Sequence, residues 1–260
     1  MRPEVPSPLV GEGQGEGKPG RRRAVPWVAG VDGCRAGWVV VLVEQQTQRI
    51  REHHLRLCPH FAEVVTLDPK PVVIAIDIPI GLLQEPQPGG RECDRQARRL
   101  LGRRASSVFT PPSRALLAAT QYEQVRAQGM SRQAFGILPK IREVDRLMTP
   151  QLQLVVYEAH PELAFRALAG APMQHNKKTY DGREERLQAL EQAPGGLLRG
   201  IRSVAENALK IFPRVHVAPD DLLDAYVLTR TALRIANGQA SRLPVNPPVD
   251  GRGLRMEVWY

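Results

Sequence analysis

The run Val72-Val73-Ile74-Ala75-Ile76-Asp77-Ile78-Pro79-Ile80 decides how this chain is read. It follows Pro71, is apolar at every position but one, is rich in β-branched residues and is too short for a typical helix. Pro71 to Ile80 therefore reads as a strand buried on both faces. Its one carboxylate, Asp77, stands near the C-terminal end. An unpaired acid there would cost several kcal/mol, so it needs a cation, hydrogen-bond donors or a metal. An acid that merely caps nearby backbone N–H groups is the bland account. A ligand site is favoured, because open α/β sheets bind ligands at the C-terminal ends of their strands.

Working outward, Val25 to Asp32 predicts a strand that also ends in an acid, followed by a turn at Gly33-Cys34-Arg35-Ala36-Gly37. Trp38 to Glu44 and Gln48 to Leu57 complete an antiparallel meander, and Phe61 to Leu67 is a short helix. Beyond the central run, Arg91 to Gly102 predicts a basic helix, and Ser106 to Pro112, with its Pro111-Pro112 pair, an irregular stretch. Helical pieces follow at Arg114–Gln128, Ser131–Leu138 and Lys140–Met148, which makes residues from about 91 to 150 a helical insertion. Leu152 to Glu158 is another strand, Pro161 to Ala169 a helix, Lys177 to Thr179 a polar loop and Arg183 to Glu191 a helix. A long helix runs from about Asp221 to Asn237 with Gly238 as its stop, and Met256 to Tyr260 resembles a strand. Antiparallel strands followed by parallel ones predict an α/β fold: a mixed sheet of five or slightly more strands flanked by helices. That order fits the ribonuclease H-like fold.

The chain has 260 residues, 42% hydrophobic and 24% charged, enough for a sizeable core in one domain over residues 25–260. Residues 1–24, rich in Gly, Pro and Glu, are expected to form a disordered tail. No apolar run approaches the roughly 20 residues that span a bilayer. Three cysteines without paired spacing, and no signal peptide, predict a reducing, cytoplasmic setting. The net charge is +9, of which residues 1–24 contribute +2 and the rest +7. A basic body suits a polyanion such as nucleic acid, and equally suits plain solubility. Aromatic residues at 5% argue against an extended base-stacking platform.

More acids fall at element ends. Asp32 closes the first strand, although Asp-Gly is also an ordinary turn former. If its strand neighbours that of Asp77, the two carboxylates repel and a divalent cation is the usual remedy. Glu158 ends a later strand, before His160-Pro161-Glu162. His160 reads best as a hydrogen-bonded structural residue, and Glu162 as a first-turn acid facing the helix dipole. Asp220, Asp221 and Asp224 open the last helix after Pro219, with Asp220 placed as the N-cap. Asp221 and Asp224 are three apart and share a face.

With these residues in view, the chain resembles the domain of unknown function 429 family, a ribonuclease H-like nuclease group, over about Val25 to Tyr260. The resemblance rests on Gly30-Val31-Asp32-Gly33-Cys34-Arg35-Ala36-Gly37-Trp38, Ile76-Asp77-Ile78-Pro79-Ile80-Gly81-Leu82, Arg91-Glu92-Cys93-Asp94 with Ala97-Arg98 and Leu101-Gly102, and Ser106-Ser107-Val108-Phe109. It extends to Pro139-Lys140-Ile141 with Glu143 and Asp145, Glu158-Ala159-His160-Pro161-Glu162, Lys177-Lys178, Asp221-Leu222-Leu223-Asp224-Ala225 and Glu257. It implies a metal-dependent nuclease or phosphodiesterase. Asp32 and Asp77 would be strand ligands and Asp221 and Asp224 helix ligands for two Mg²⁺ or Mn²⁺ ions, with Glu158 a further ligand or a water-positioning base. Arg35, Arg91, Arg98, Ser106, Ser107, Lys140 and Lys178, with Arg103, Arg104 and Lys177, are the candidate substrate contacts.

Two other functions stay open. Gly30-Val31-Asp32-Gly33 would suit the phosphate turn of an actin-like or sugar-kinase-like phosphotransferase, but Ile78-Pro79 leaves no glycine-rich second loop after Asp77. A noncatalytic nucleic-acid or protein binding domain is the third reading. The sequence also leaves a homo-oligomer open.

Overall fold

The period-two alternation of the strands builds two separate cores, one on each face of a single mixed sheet. The computed structural model describes residues 25–46, 53–127, 130–194 and 198–260. Strands β1 (Trp27–Cys34), β2 (Gly37–Glu44) and β3 (His53–Cys58) form the antiparallel meander. Strands β4 (Pro71–Ile76) and β5 (Val156–Glu158) run parallel to β1, and the sheet order is β3-β2-β1-β4-β5. This α/β architecture is consistent with a ribonuclease H-like fold.

Helices α1 (Phe61–Val65) and α4 (Arg132–Leu147) cover one face, where Val31, Val40, Ile74 and Ile76 meet Phe61, Ile141 and Val144. Helices α5 (Pro161–Ala169), α6 (Tyr180–Glu191), α7 (Ile201–Ile211) and α8 (Pro219–Ala236) cover the other, over Val28, Val41, Val73 and Ala75. Helices α2 (Glu92–Leu101) and α3 (Glu123–Arg126) lie with α4 between β4 and β5, and a short ribbon, β6 (Arg242–Leu243) with β7 (Val258–Trp259), closes the chain. Among the described residues no helix is long and apolar enough to cross a membrane.

The approach that seats the last helix on the sheet is at Gly30. A Cβ there would stand 2.1 Å from the Thr229 backbone nitrogen and 2.2 Å from the Ala225 carbonyl oxygen, so α8 lies directly on the β1 backbone. Gly30 and Asp32 share a face of β1. Asp32 therefore meets the turn of α8 that precedes Ala225, where Asp221 and Asp224 lie.

Several boundaries differ from expectation. Strand β4 ends at Ile76 and Asp77 begins a bend, because Pro79 has no N–H and the Ile80 N–H is taken by the Glu158 carboxylate (2.7 Å). Leu152–Leu154 is a 3-10 turn, with the Leu152 N–H drawn to the Thr149 hydroxyl, and only Val156–Glu158 is strand. The predicted pieces at Ser131–Leu138 and Lys140–Met148 are one helix, α4, with Pro139 inside it. Among the described residues the segment from Arg114 to Gln128 holds only a 3-10 turn at Arg114–Leu116 and the four-residue α3. Of the stretch expected to be irregular, Ser106 and Ser107 end a 3-10 helix (Gly102–Ser107), while Val108 to Pro112 is irregular as expected. Helix α7 is an addition, although the sequence carries its period: Ile201, Val204, Ala205, Ala208 and Leu209 fall at i, i+3, i+4, i+7 and i+8 and pack against the core. Helix α8 starts two residues earlier than predicted. Ala218, not Asp220, is its N-cap, and Asp221 accepts the Ala218 N–H at 3.0 Å. Gly238, at φ +67°, ends it as expected, its N–H donating to Ile235. The expected tail over residues 1–24 and the start of the third strand at Gln48 lie outside the described residues.

Gly30→Ala tests the α8 contact. It should lower the melting temperature by about 10 °C or more, the equivalent of roughly 3 kcal/mol or above. Gly136→Ala, in α4 with nothing within 4 Å of the added Cβ, should leave stability unchanged or raise it by about 0.5–1 kcal/mol.

Candidate functional site

Parallel pairing of Val31 with Ile76 brings Asp32 beside Asp77 at the C-terminal edge of the sheet, and the Asp77 N–H donates to Val31 O at 3.1 Å. Both side chains stand on the face that carries α8. Asp32 is 5% exposed and Asp224 1% exposed. Burial first, then the charges of Asp224 and Asp77, hold the Asp32 carboxyl well above the usual carboxylate range. Burial raises Asp77 against the pull of His160 and Lys177, and pushes Asp224 up to about 6 against Lys177. Burial raises Asp221 too, although its bond to the Ala218 N–H opposes this. The structure thus brings together four of the five predicted acids, and each is held in a setting that resists its charge.

The cation that faces them is Lys177, on the loop before α6. Its Nζ lies 2.6 Å from Asp224 Oδ2 and 3.8 Å from Asp220 Oδ2. Burial opposes its charge, but Asp224, Asp32 and Asp77 outweigh that and drive its pKa further up. Lys177 is the resident counter-ion of the cluster. Lys178, its predicted partner in phosphate contact, is exposed. Among the described residues, no three His, Cys, Asp or Glu side chains are spaced to close on one metal ion as they stand.

Glu158 lies beside Asp77 but outside the cluster around Lys177, held by Arg91. Arg91 Nη1 and Nη2 reach its two oxygens at 2.7 and 2.5 Å, and the Ile80 N–H takes Oε2 as well. Arg91 is 2% exposed, fixes Asp94 through Nε (3.1 Å) and Nη2 (2.7 Å), and donates to the Ile80 and Gly81 carbonyls. Arg91 is therefore no phosphate contact, and Glu158 is neither a free ligand nor a free base. Together they clamp the loop after Asp77 to the ends of β5 and α2. The signal in the sequence is Asp94, an acid on the buried stripe Cys93-Ala97-Leu101 of α2, which demands a buried cation.

The remaining arginines of that region also have partners within the chain, although Arg99 and Arg103 are exposed. Arg98 donates to the Val108 and Gly89 carbonyls and the Thr110 hydroxyl, so it braces the loop rather than offering itself to a ligand. Arg95 and Arg99 pair with Glu92, Arg104 with Glu162, and Arg103 with Gln174. His160 is structural, as expected: its Nδ1 accepts the Glu162 N–H while Nε2 faces Ser107 O at 3.3 Å. Glu162 pairs with Arg186 and Arg104. Ser107 Oγ donates to Arg104 O, and Ser106 is exposed. Val108 and Phe109 line a cavity of about 20 Å³ with Asp77, Glu158 and His160, room for about one water molecule. Lys140 donates to Gly37 O (2.6 Å), lies 4.7 Å from the Trp38 ring centroid, and feels Asp32 and Asp221. Arg35, in the turn after β1, is exposed at the same edge.

Arg91→Leu should leave two buried carboxylates uncompensated and cost about 3–5 kcal/mol, read by chemical denaturation, with Arg91→Lys failing to restore the bidentate fork. The pH dependence has a definite sign. Asp32, Asp77, Asp221 and Asp224 hold protons more tightly folded than unfolded. Their stabilising contribution is full below about pH 4 and is lost as pH rises through the value of about 6 at Asp224. Melting temperatures in EDTA should therefore rise from pH 7 to pH 5, and Asp224→Asn should flatten that slope.

A protein-family model described as "Protein of unknown function (DUF429)" matches residues 30–249. No curated protein and no solved structure matches the chain.

Proposed function

The chain belongs to the family of unknown function DUF429, and for it we propose a metal-dependent phosphodiesterase activity on nucleic acid or nucleotide. The observation that carries this reading is the meeting of Asp32, Asp77, Asp221 and Asp224 from one strand, the bend after another and one helix, with their charges countered chiefly by the partly buried ammonium of Lys177. A donor set made only of carboxylate oxygens fits Mg²⁺ or Mn²⁺ rather than zinc. Asp32, Asp77 and Asp224 would hold the ions, with Asp221 sharing the oxygen that does not cap its helix. Such ions, when bound, lower the pKa of a water and offset charge on the phosphoryl oxygens.

The chain's own residues supply the rest. Lys177 keeps the acids tolerable before a cation arrives and is free to meet a phosphate once displaced. Arg35, Lys140 and Lys178 lie at the rim, where phosphate oxygens would lie. The Arg91–Glu158 pair fixes the loop that positions Asp77. The kinase-like reading loses ground, because Gly30 is covered by α8 and cannot cradle a phosphate. The binding-domain reading draws on Lys177, which already supplies a counter-charge without metal.

Purified protein incubated with mixed DNA and RNA should cleave with Mn²⁺ and not with EDTA. Asp32→Asn and Asp77→Asn should each lower the rate by at least about 100-fold. Cleavage that survives both substitutions, or none under any condition, removes this reading. Lys177→Met should tighten Mn²⁺ binding, followed by calorimetry, if ammonium and metal compete for the same carboxylates.

A further inference from the structure

Away from the carboxylate edge, α5 and α8 enclose a cavity of about 240 Å³. Its charged wall is Arg230 and Arg234, one turn apart on α8 and both half-buried. Neither has a carboxylate partner among the described residues. Arg230 Nη1 donates to Pro194 O at 3.1 Å and Arg234 Nη2 to Gln239 O at 2.8 Å, which leaves most of each guanidinium's five donors unused. Burial and the neighbouring Arg234 both work against the charge of Arg230, a strain that an anion would relieve. Thr231 adds a hydroxyl that is 2% exposed and makes only a 3.5 Å contact with Val227 O, at the limit of a hydrogen bond. The smaller, apolar part of the lining is Ala164 and Leu168 on α5, with Val227 on α8 beside the arginines.

We propose that this cavity binds a small organic phosphomonoester, with the phosphate between Arg230 and Arg234 and the organic part on Ala164, Leu168 and Val227. Two forked guanidinium groups match the dianion and three acceptor oxygens of a phosphomonoester better than a single-charged carboxylate. The volume lies below the roughly 300 Å³ where drug-sized pockets begin, so the ligand is small. Arg230 is six residues beyond Asp224, about 9 Å along the helix, and points away from the sheet-facing Thr229. The site is therefore separate from the acids, and it stands whether or not they cleave phosphodiesters.

The full chain is titrated by calorimetry and thermal melting with phenyl phosphate, with inorganic phosphate and with NaCl at matched ionic strength. Phenyl phosphate should bind saturably with a Kd below about 1 mM, more tightly than inorganic phosphate. Arg234→Gln, which leaves the Arg230–Pro194 contact in place, should weaken it at least about tenfold with an unchanged melting temperature in the absence of ligand. Asp77→Asn should bind phenyl phosphate as the unaltered chain does, which separates this site from the proposed catalytic edge. Stabilisation that NaCl reproduces, or affinity unchanged in Arg234→Gln, overturns the proposal. Equal affinity for inorganic phosphate overturns its organic half.

Discussion

Helix α8 touches the backbone of β1 with nothing between them, and the candidate site follows from that contact. A residue with any side chain at position 30 would lift the helix off the sheet. With glycine there, the polar first turns of α8 come to rest over the strand ends, and four acids far apart in sequence become neighbours. The energetic consequence is unfavourable by itself, since each carboxylate is desolvated and repelled by the others. The large apolar surface that α8 shares with β1, β2 and β4, through Leu222, Ala225 and Leu228, offsets it.

The Arg91 clamp solves a different problem. A buried ion pair seldom adds net stability over a well-packed apolar alternative, but removing one partner is severe. What Arg91 adds is definition. One planar group reaches two carboxylates and two carbonyls, and so holds β5, α2 and the bend after β4 at fixed spacing. The neighbouring arginines repeat the pattern at lower cost, bracing the 102–110 segment against the same edge.

Much of the fold was legible because it rests on short-range signals. The meander, the apolar run before Asp77 and the glycine stop of α8 each carry a local pattern that packing reinforces. Of the elements that escaped, α7 does carry a helical period, with Ile201, Val204, Ala205, Ala208 and Leu209 on one face, whereas the strand before Glu158 shrinks because Leu152–Leu154 folds into a turn. At the site, strand-end acids could be read from the cost of burying them. Their partners could not. Glu158 and Asp77 look alike in sequence, each an acid at the end of an apolar run. Only distant residues separate them: Arg91 grips both oxygens of Glu158, whereas Asp77 lies beside Asp32 and feels the charge of Lys177. Arginines that read as a cationic surface turn out to have partners among the protein's own carbonyls and acids; helix spacing reveals Arg95–Glu92 and Arg91–Asp94, but not Arg91–Glu158, Arg104–Glu162 or the carbonyls that Arg98 holds.

Since α8 carries its acids at one end and its arginines at the other, its rotational phase is fixed twice over. One residue inserted between Asp224 and Ala225 would swing Asp221 and Asp224 about 100° around the axis while Thr229 stayed against β1. Natural length variation in this protein's relatives should accordingly fall in the connections on either side of the helix and spare its interior.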